Sequence, residues 1–196
     1  MIITRLFGGL GNQMFQYAAG KALATRLDVE LALDTRTIDA RGMRSLTKVF
    51  DLGVSPAKDL PPTKANGMAY YAFWRAFGRN PRFVRERGLG YNPQFFGLPD
   101  NVYLHGYWQS EKYFSDIADE LHNAFQPTAA PSNQNWQMAE QINAGPSVSL
   151  HVRRGDYLDL GAHGVCSETY YNAALKQVVD QSGRIPTVFV FSDDPQ

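Results

Sequence analysis

FGGLGNQMFQYAAG, residues 7–20, is the stretch that settles the fold. Gly8, Gly9 and Gly11 lie where an apolar run, Ile2 to Phe7, meets a segment of different periodicity. From Gln13 to Leu27 the apolar residues Met14, Tyr17, Ala18, Leu23, Ala24 and Leu27 recur on a helical spacing, with Asn12 as the expected N-cap. Val29 to Leu33 then reads as a second strand ending at Asp34. Strand, glycine turn, helix and strand in that order spell a βαβ unit, so a parallel sheet is expected. Glycine permits positive φ and lets an oxyanion come within reach of main-chain N–H groups, where a helix start adds its dipole. The same residues also suit a tight turn with close helix packing.

Working outward, residues 34–100 carry weak signals, with Pro61-Pro62, Asn80-Pro81, Asn92-Pro93 and Leu98-Pro99 marking turns. A strand is expected over Val102–Tyr107 and a helix over Glu111–Phe125. Residues 125–135, FQPTAAPSNQN, read as a polar, proline-rich linker. A short helix over Trp136–Ile142, a strand over Ser147–Val152, a helix over Ser167–Ser182 and a strand over Thr187–Phe191 complete the pattern. The expected division is therefore an α/β lobe over 1–125, a linker with a short helix over 126–146, and the start of a second α/β lobe over 147–196. With two strands before Gln196, that second lobe reads as truncated.

The composition limits the partners. Lys+Arg and Asp+Glu balance at 19 each, so no global field draws the chain to nucleic acid or to an anionic membrane, and any bound anion must be held locally. Arg75, Arg79, Arg82, Arg85 and Arg87 form one basic cluster, which suits a solvated face or a headgroup patch. A single cysteine, Cys166, provides no intrachain disulfide and no cysteine-built zinc site. No leader and no apolar window near the ~18 residues of a membrane span is evident. The expected location is cytoplasmic, at most peripheral at the membrane.

Three motifs occupy the carboxyl ends of expected strands, where ligands of open α/β sheets bind. The first is the Gly8–Gln13 turn. Gly9-Leu10-Gly11 with Asp34 about 20 residues on resembles a dinucleotide fingerprint, yet Met14 stands at the third glycine's position, and no P-loop lysine follows. The second is SVSLHVRRGDY. Alternation places Val148, Leu150 and Val152 on one face and Ser147, Ser149, His151 and Arg153 on the other. Arg153 offers a permanently charged fork suited to phosphate, and a strand-end ion pair from Arg153 or Arg154 to Asp156 is the plainer alternative. The third is TVFVFSDDP, whose Asp193 and Asp194 suit a metal, a ligand's hydrogen bonds or a helix cap.

Taken together, GGLGNQMFQYA, GYWQSEKYF at 106–114, HVRRGDY at 151–157, HGVC with Tyr170-Tyr171, and FSDD resemble the α-1,2-fucosyltransferases. That resemblance implies two facing Rossmann-like lobes of the GT-B type and metal-independent, inverting transfer of L-fucose from GDP-β-L-fucose to a galactose 2-hydroxyl. The implied partners are a nucleotide-sugar donor and a galactose-terminated glycan, with no cofactor. It further implies that Arg153 and Arg154 bind the donor's diphosphate with the backbone of Gly9, Leu10, Gly11 and Asn12, and that His151 with Asp193 or Asp194 reads guanine. Asp156 is the implied candidate base, although an arginine-paired carboxylate is a weak one. Tyr107 and Trp108 are expected to stack on the acceptor sugar. Relatives of this kind continue beyond the FSDD strand. A dinucleotide-dependent oxidoreductase using Gly9, Gly11 and Asp34, or a non-catalytic GDP-sugar-binding remnant, are the alternatives.

Overall fold

The computed structural model describes residues 1–58, 60–62, 67–77, 82–88, 90–155 and 165–193; Asp156 and Asp194 lie outside them. The chain divides into two compact units, Met1–Ala129 and Ala130–Gln196.

The first unit carries a four-stranded, wholly parallel sheet. Its strands are β1 (Ile2–Arg5), β2 (Leu31–Asp34), β3 (Arg82–Arg85) and β4 (Val102–His105), in the order β2-β1-β4-β3. Ile2, Ile3 and Thr4 are at most 1% exposed, as a central parallel strand covered on both faces requires. Helix α1 (Leu10–Leu27) lies against β1 so closely that a Cβ at Gly20 would collide with the Thr4 hydroxyl. Tyr17, Ala18 and Ala22 of α1 pack with Leu6, Leu33, Ile38 and Phe50 on one side. Ala19, Leu23 and Ala24 pack with Ile2, Val102, Phe95 and Trp108 on the other. Helices α2 (Arg36–Ala40), α3 (Met68–Phe77) and α4 (Ala118–Ala124) complete the unit.

Two sequence expectations are corrected here. Helix α1 starts at Leu10, with Gly9 as N-cap in extended geometry (φ −62°, ψ 167°). Gly8, at φ +80°, makes the turn in a conformation that suits glycine, so Asn12 falls inside the first turn and its carboxamide is not needed as a cap. The helix expected over Glu111–Phe125 is broken into 3₁₀ turns at Glu111–Tyr113 and Ser115–Ile117 followed by α4. Phe114 leaves helical geometry (φ −148°, ψ 15°), while Tyr113 is drawn into the cluster of Phe95 and Trp108 and its hydroxyl accepts from the Asn92 N–H at 2.8 Å.

The second unit contains α5 (Asn133–Asn143), β5 (Ser147–Val152), α6 (Glu168–Ser182) and β6 (Thr187–Ser192). β5 and β6 pair in parallel from Ser147↔Thr187 to Val152↔Ser192. Ser132 caps α5 through the Asn135 N–H, Ser167 caps α6 through the Tyr170 N–H, and Gly183 closes α6 in the left-handed region. Along β5, Val148, Leu150 and Val152 are half-buried while Ser147, Ser149 and His151 are exposed, the alternation the sequence predicts. Among the described residues, no hydrophobic side chain of this unit is fully buried. No described helix is long and apolar enough to cross a membrane.

Candidate active site

In the first unit, the turn after β1 is built from inside by two carboxamides. Gln16, fully buried, accepts from the Phe7 N–H at 3.0 Å and donates to the Phe7 carbonyl at 3.1 Å, mimicking a strand partner. Gln13, equally buried, donates to the carbonyls of Gly8 and Arg44 at 3.0 Å each and accepts from the Leu46 N–H at 2.8 Å. The backbone of Phe7 and Gly8 is thereby fixed before any ligand arrives.

Above that base the turn is open. A Cβ at Gly9 or Gly11 would meet nothing within 4 Å, so no neighbour inside the protein requires glycine there. The first-turn N–H groups of Leu10, Gly11 and Asn12 have no acceptor among the described residues, as at any uncapped helix start. Asn12 accepts from Gln109 Nε2 at 2.7 Å through its Oδ1, which leaves its amide nitrogen as the donor face of that side chain.

The neighbouring strand ends carry more polar groups. Arg5 donates to Thr37 Oγ1 and reaches His105 Nδ1 at 3.1 Å. The Glu86 carboxylate accepts from the N–H groups of Tyr107 and Trp108. Tyr107 is 36% exposed, its ring 4.8 Å from that of Phe7. Trp108 corrects an expectation: at 3% exposure, packed on Phe95 and Tyr113, it is a core residue with no face for a sugar.

Asp34 is also accounted for. It is 2% exposed, takes two bonds from the Arg36 guanidinium at 2.8 and 2.9 Å, and accepts from the Tyr103 hydroxyl at 2.6 Å. Burial pushes its carboxyl up, but the bonds from Arg36 and Tyr103 outweigh this and hold it below the usual range. A dinucleotide's ribose would have to displace both partners, which removes the residue on which the oxidoreductase alternative relies.

In the second unit the cluster forms where β5 and β6 end together. Asp193 Oδ1 accepts from the backbone N–H groups of Arg154 and Gly155 at 2.9 and 3.3 Å, and Asp193 Oδ2 pairs with Arg153 Nε at 3.0 Å. The N–H bond from Arg154 is the main cause holding the Asp193 carboxyl below its ordinary range. Asp193 thus fixes the turn that carries both arginines, and with three donors on it, it is an anchor rather than a free acceptor for a base. Arg153 is thus paired with Asp193, and the ion pair expected to Asp156 lies outside the described residues. His151 stands on the exposed face of β5, and its carbonyl accepts from the Tyr171 hydroxyl at 3.2 Å. Asp156 and Asp194 fall outside the described residues.

Gln13, Gln16, Arg5, Glu86 and His105 have no assigned role in the sequence reading. Their signal was present: carboxamides on the sheet-facing side of an apolar helix, and charged residues at the last positions of buried strands.

Comparison with known proteins adds four findings. The family described as Glycosyl transferase family 11 matches residues 1–196. An α-1,2-colitosyltransferase of Escherichia coli is 30% identical over 204 residues, spanning 99% of this chain and 69% of that protein. An O-antigen biosynthesis glycosyltransferase of Escherichia coli, WbnK, is 29% identical over 217 residues, spanning 96% of this chain and 71% of the other. Among solved structures, the fucosyltransferase NodZ from Bradyrhizobium is similar at 15% identity with a TM-score of 0.49, covering 100% of this chain and 72% of that one.

Proposed function

The chain belongs to glycosyl transferase family 11, and from that premise we propose that it moves L-fucose from GDP-β-L-fucose to the 2-hydroxyl of a galactoside, with inversion and without a metal. The observation that carries this reading is the Arg153 turn, a guanidinium held at a strand tip by Asp193 beside two backbone N–H groups of the same turn.

As the bond to the fucose anomeric carbon breaks, negative charge grows on the β-phosphate of departing GDP while the sugar becomes oxocarbenium-like. A positive group already fixed in place stabilises that charge without reorganising during the reaction. Arg153 fills this role and Arg154 assists. In the first unit, the N–H groups of the first turn of α1 around Gly9, Leu10, Gly11 and Asn12 are donors suited to the oxyanions of a nucleotide-sugar donor. The openness over Gly9 and Gly11 supports this, because only a side-chain-free backbone lets a phosphate oxygen that close. His151 and Asp194 take the guanine base, Asp156 is assigned as the acceptor's base, and Tyr107 provides the exposed ring for the acceptor sugar. Any membrane association is peripheral.

A second reading differs only in the sugar transferred. The relative that is 30% identical is named a colitosyltransferase, so a colitosyl group in place of fucosyl is the alternative. The test incubates the full chain with lactose and either GDP-fucose or GDP-colitose, following GDP release and the new linkage by NMR. Formation of an α-1,2-fucosyl product, undiminished by EDTA, is the expected result. Faster turnover of GDP-colitose selects the second reading. Absence of product and of GDP release from both donors rejects the proposal, and loss with EDTA that Mn²⁺ restores rejects its metal-free mechanism.

A further inference from the structure

Among the described residues, the strand ends of the first unit hold hydrogen-bond donors with no carboxylate to match them. Arg5 ends β1 and His105 ends β4, strands paired at Thr4↔Leu104, so the two side chains meet at the carboxyl edge of the sheet. A guanidinium can only donate. Its Nη1, 3.1 Å from His105 Nδ1, therefore requires a lone pair on that nitrogen, and the ring's proton sits on Nε2. The half-buried ring is bracketed by Phe7 at 5.4 Å and Phe83 at 5.6 Å between centroids. Burial first, then the Arg5 and Arg85 charges, push its pKa down to about 4, so at neutral pH it is a neutral donor through Nε2–H.

That N–H has no acceptor among the described residues, and Arg5 bonds only to neutral groups, the Thr37 hydroxyl and the His105 ring. The acids of this edge are taken: Asp34 by Arg36 and Tyr103, Glu86 by the N–H groups of Tyr107 and Trp108. Arg85, the register partner of His105 on β3, adds a second, exposed cation. Unmatched donors in a partly desolvated place are unfavourable alone and favourable around an oxygen that carries charge.

We propose that this edge is an oxyanion-binding site in which His105 Nε2–H, Arg5 and Arg85 take a phosphate or carboxylate group of a substrate. It lies within the first unit and does not depend on which sugar is transferred. The phosphate could come with the nucleotide donor, and a carboxylate with an acidic sugar in the acceptor.

The test is an NMR titration of the full ¹⁵N-labelled chain, following the His105 ring at constant ionic strength set with NaCl. Inorganic phosphate, glucuronate and galactose are added separately. A saturable shift with phosphate or glucuronate, absent with galactose, is expected. Arg85→Ala, a surface change that leaves the fold intact, should weaken that binding about tenfold, the loss of one charge-assisted hydrogen bond. With binding established, displacement of phosphate by GDP assigns the site to the donor, and glucuronate binding undisturbed by GDP assigns it to the acceptor. No saturable shift with either anion, binding of galactose alone, equal affinity in Arg85→Ala, or a ring protonated on Nδ1 would each overturn the proposal, whether or not the transferase assay succeeds.

Discussion

Both units place polar groups at the carboxyl ends of parallel strands, but only one has a dry foundation. In the first unit those ends rest on buried Ile2, Ile3, Leu6, Val102 and Leu104, and the Gly8 turn is held by two fully buried carboxamides. In the second, β5 and β6 have half-buried or exposed side chains throughout, and the Arg153 turn carries a partly exposed carboxylate, Asp193, as its anchor among the described residues. The same strand, helix, strand order thus yields a stiff platform in one place and a lightly supported one in the other. A stiff platform loses stability when its polar groups are removed. A platform built on half-buried and exposed side chains is expected to lose chemistry instead.

The sharpest test of that contrast lies in the second unit. Arg153→Ala should reduce the proposed sugar transfer by about 100- to 1000-fold, the range for deleting one preorganised group that faces developing charge. The melting temperature of the ligand-free chain should stay nearly constant, while the stabilisation by added GDP disappears. Turnover within a few-fold of the parent enzyme would show that the turn does not carry the chemistry. In the first unit the effect should reverse. Gln16→Leu leaves the Phe7 N–H and carbonyl without partners and should cost about 2–4 kcal/mol of stability, since each buried unpaired group costs roughly 1–3 kcal/mol. Hydrogen exchange should then speed up in β1 and α1 and remain unchanged in β5 and β6. A uniform change across both units would erase the distinction.

The sequence made the periodic parts legible and the one-off contacts invisible. β5 is found over Ser147–Val152 as expected, and α6 lies one residue inside its expected start because Ser167 is the cap. Those elements follow from alternation and capping chemistry, which are local. The start of α1 was displaced because Gly8 and Gly9 shape the turn through their backbone, a role that a polar residue at position 12 imitates in sequence. The run from Glu111 has helical spacing, but Tyr113 gains more from the Phe95 and Trp108 rings than from one continuous helix. Trp108 illustrates the same limit for the site: an aromatic beside a glycine after a strand reads equally as a sugar platform or as core, and only its surroundings decide. Arg153 and Asp193 were both singled out in sequence, but 40 residues of chain separate their numbers and no local rule pairs them.

A smaller change probes how closely the first platform is packed. Gly20→Ala adds one methyl group where α1 crosses Thr4, and the collision with that hydroxyl should cost about 1–3 kcal/mol, as overpacking a core does. Chemical denaturation measures it. Thr4→Ala in the same chain should recover much of the loss, because the Thr4 hydroxyl is buried without a partner among the described residues. An unchanged midpoint for Gly20→Ala would mean that α1 shifts freely, and the first unit would then be no stiffer than the second.

The remaining effect concerns proton binding, and its sign follows from His105. The native ring has a pKa of about 4, against an ordinary value of 6.5 in the unfolded chain. Between those values the unfolded chain binds a proton that the native state refuses, so stability falls as pH falls through that window and is fully present above it. Asp34 acts in a different range: its carboxyl is held below its ordinary 3.8, so its contribution is lost only as pH falls beneath that value. Urea midpoints measured from pH 7 to pH 3 should therefore decline in two stages. His105→Gln, which keeps a hydrogen-bonding group without the titration, should flatten the upper stage and leave the lower one. If both stages persist in that variant, the proton enters elsewhere, and the first unit's edge is more solvated than its packing implies.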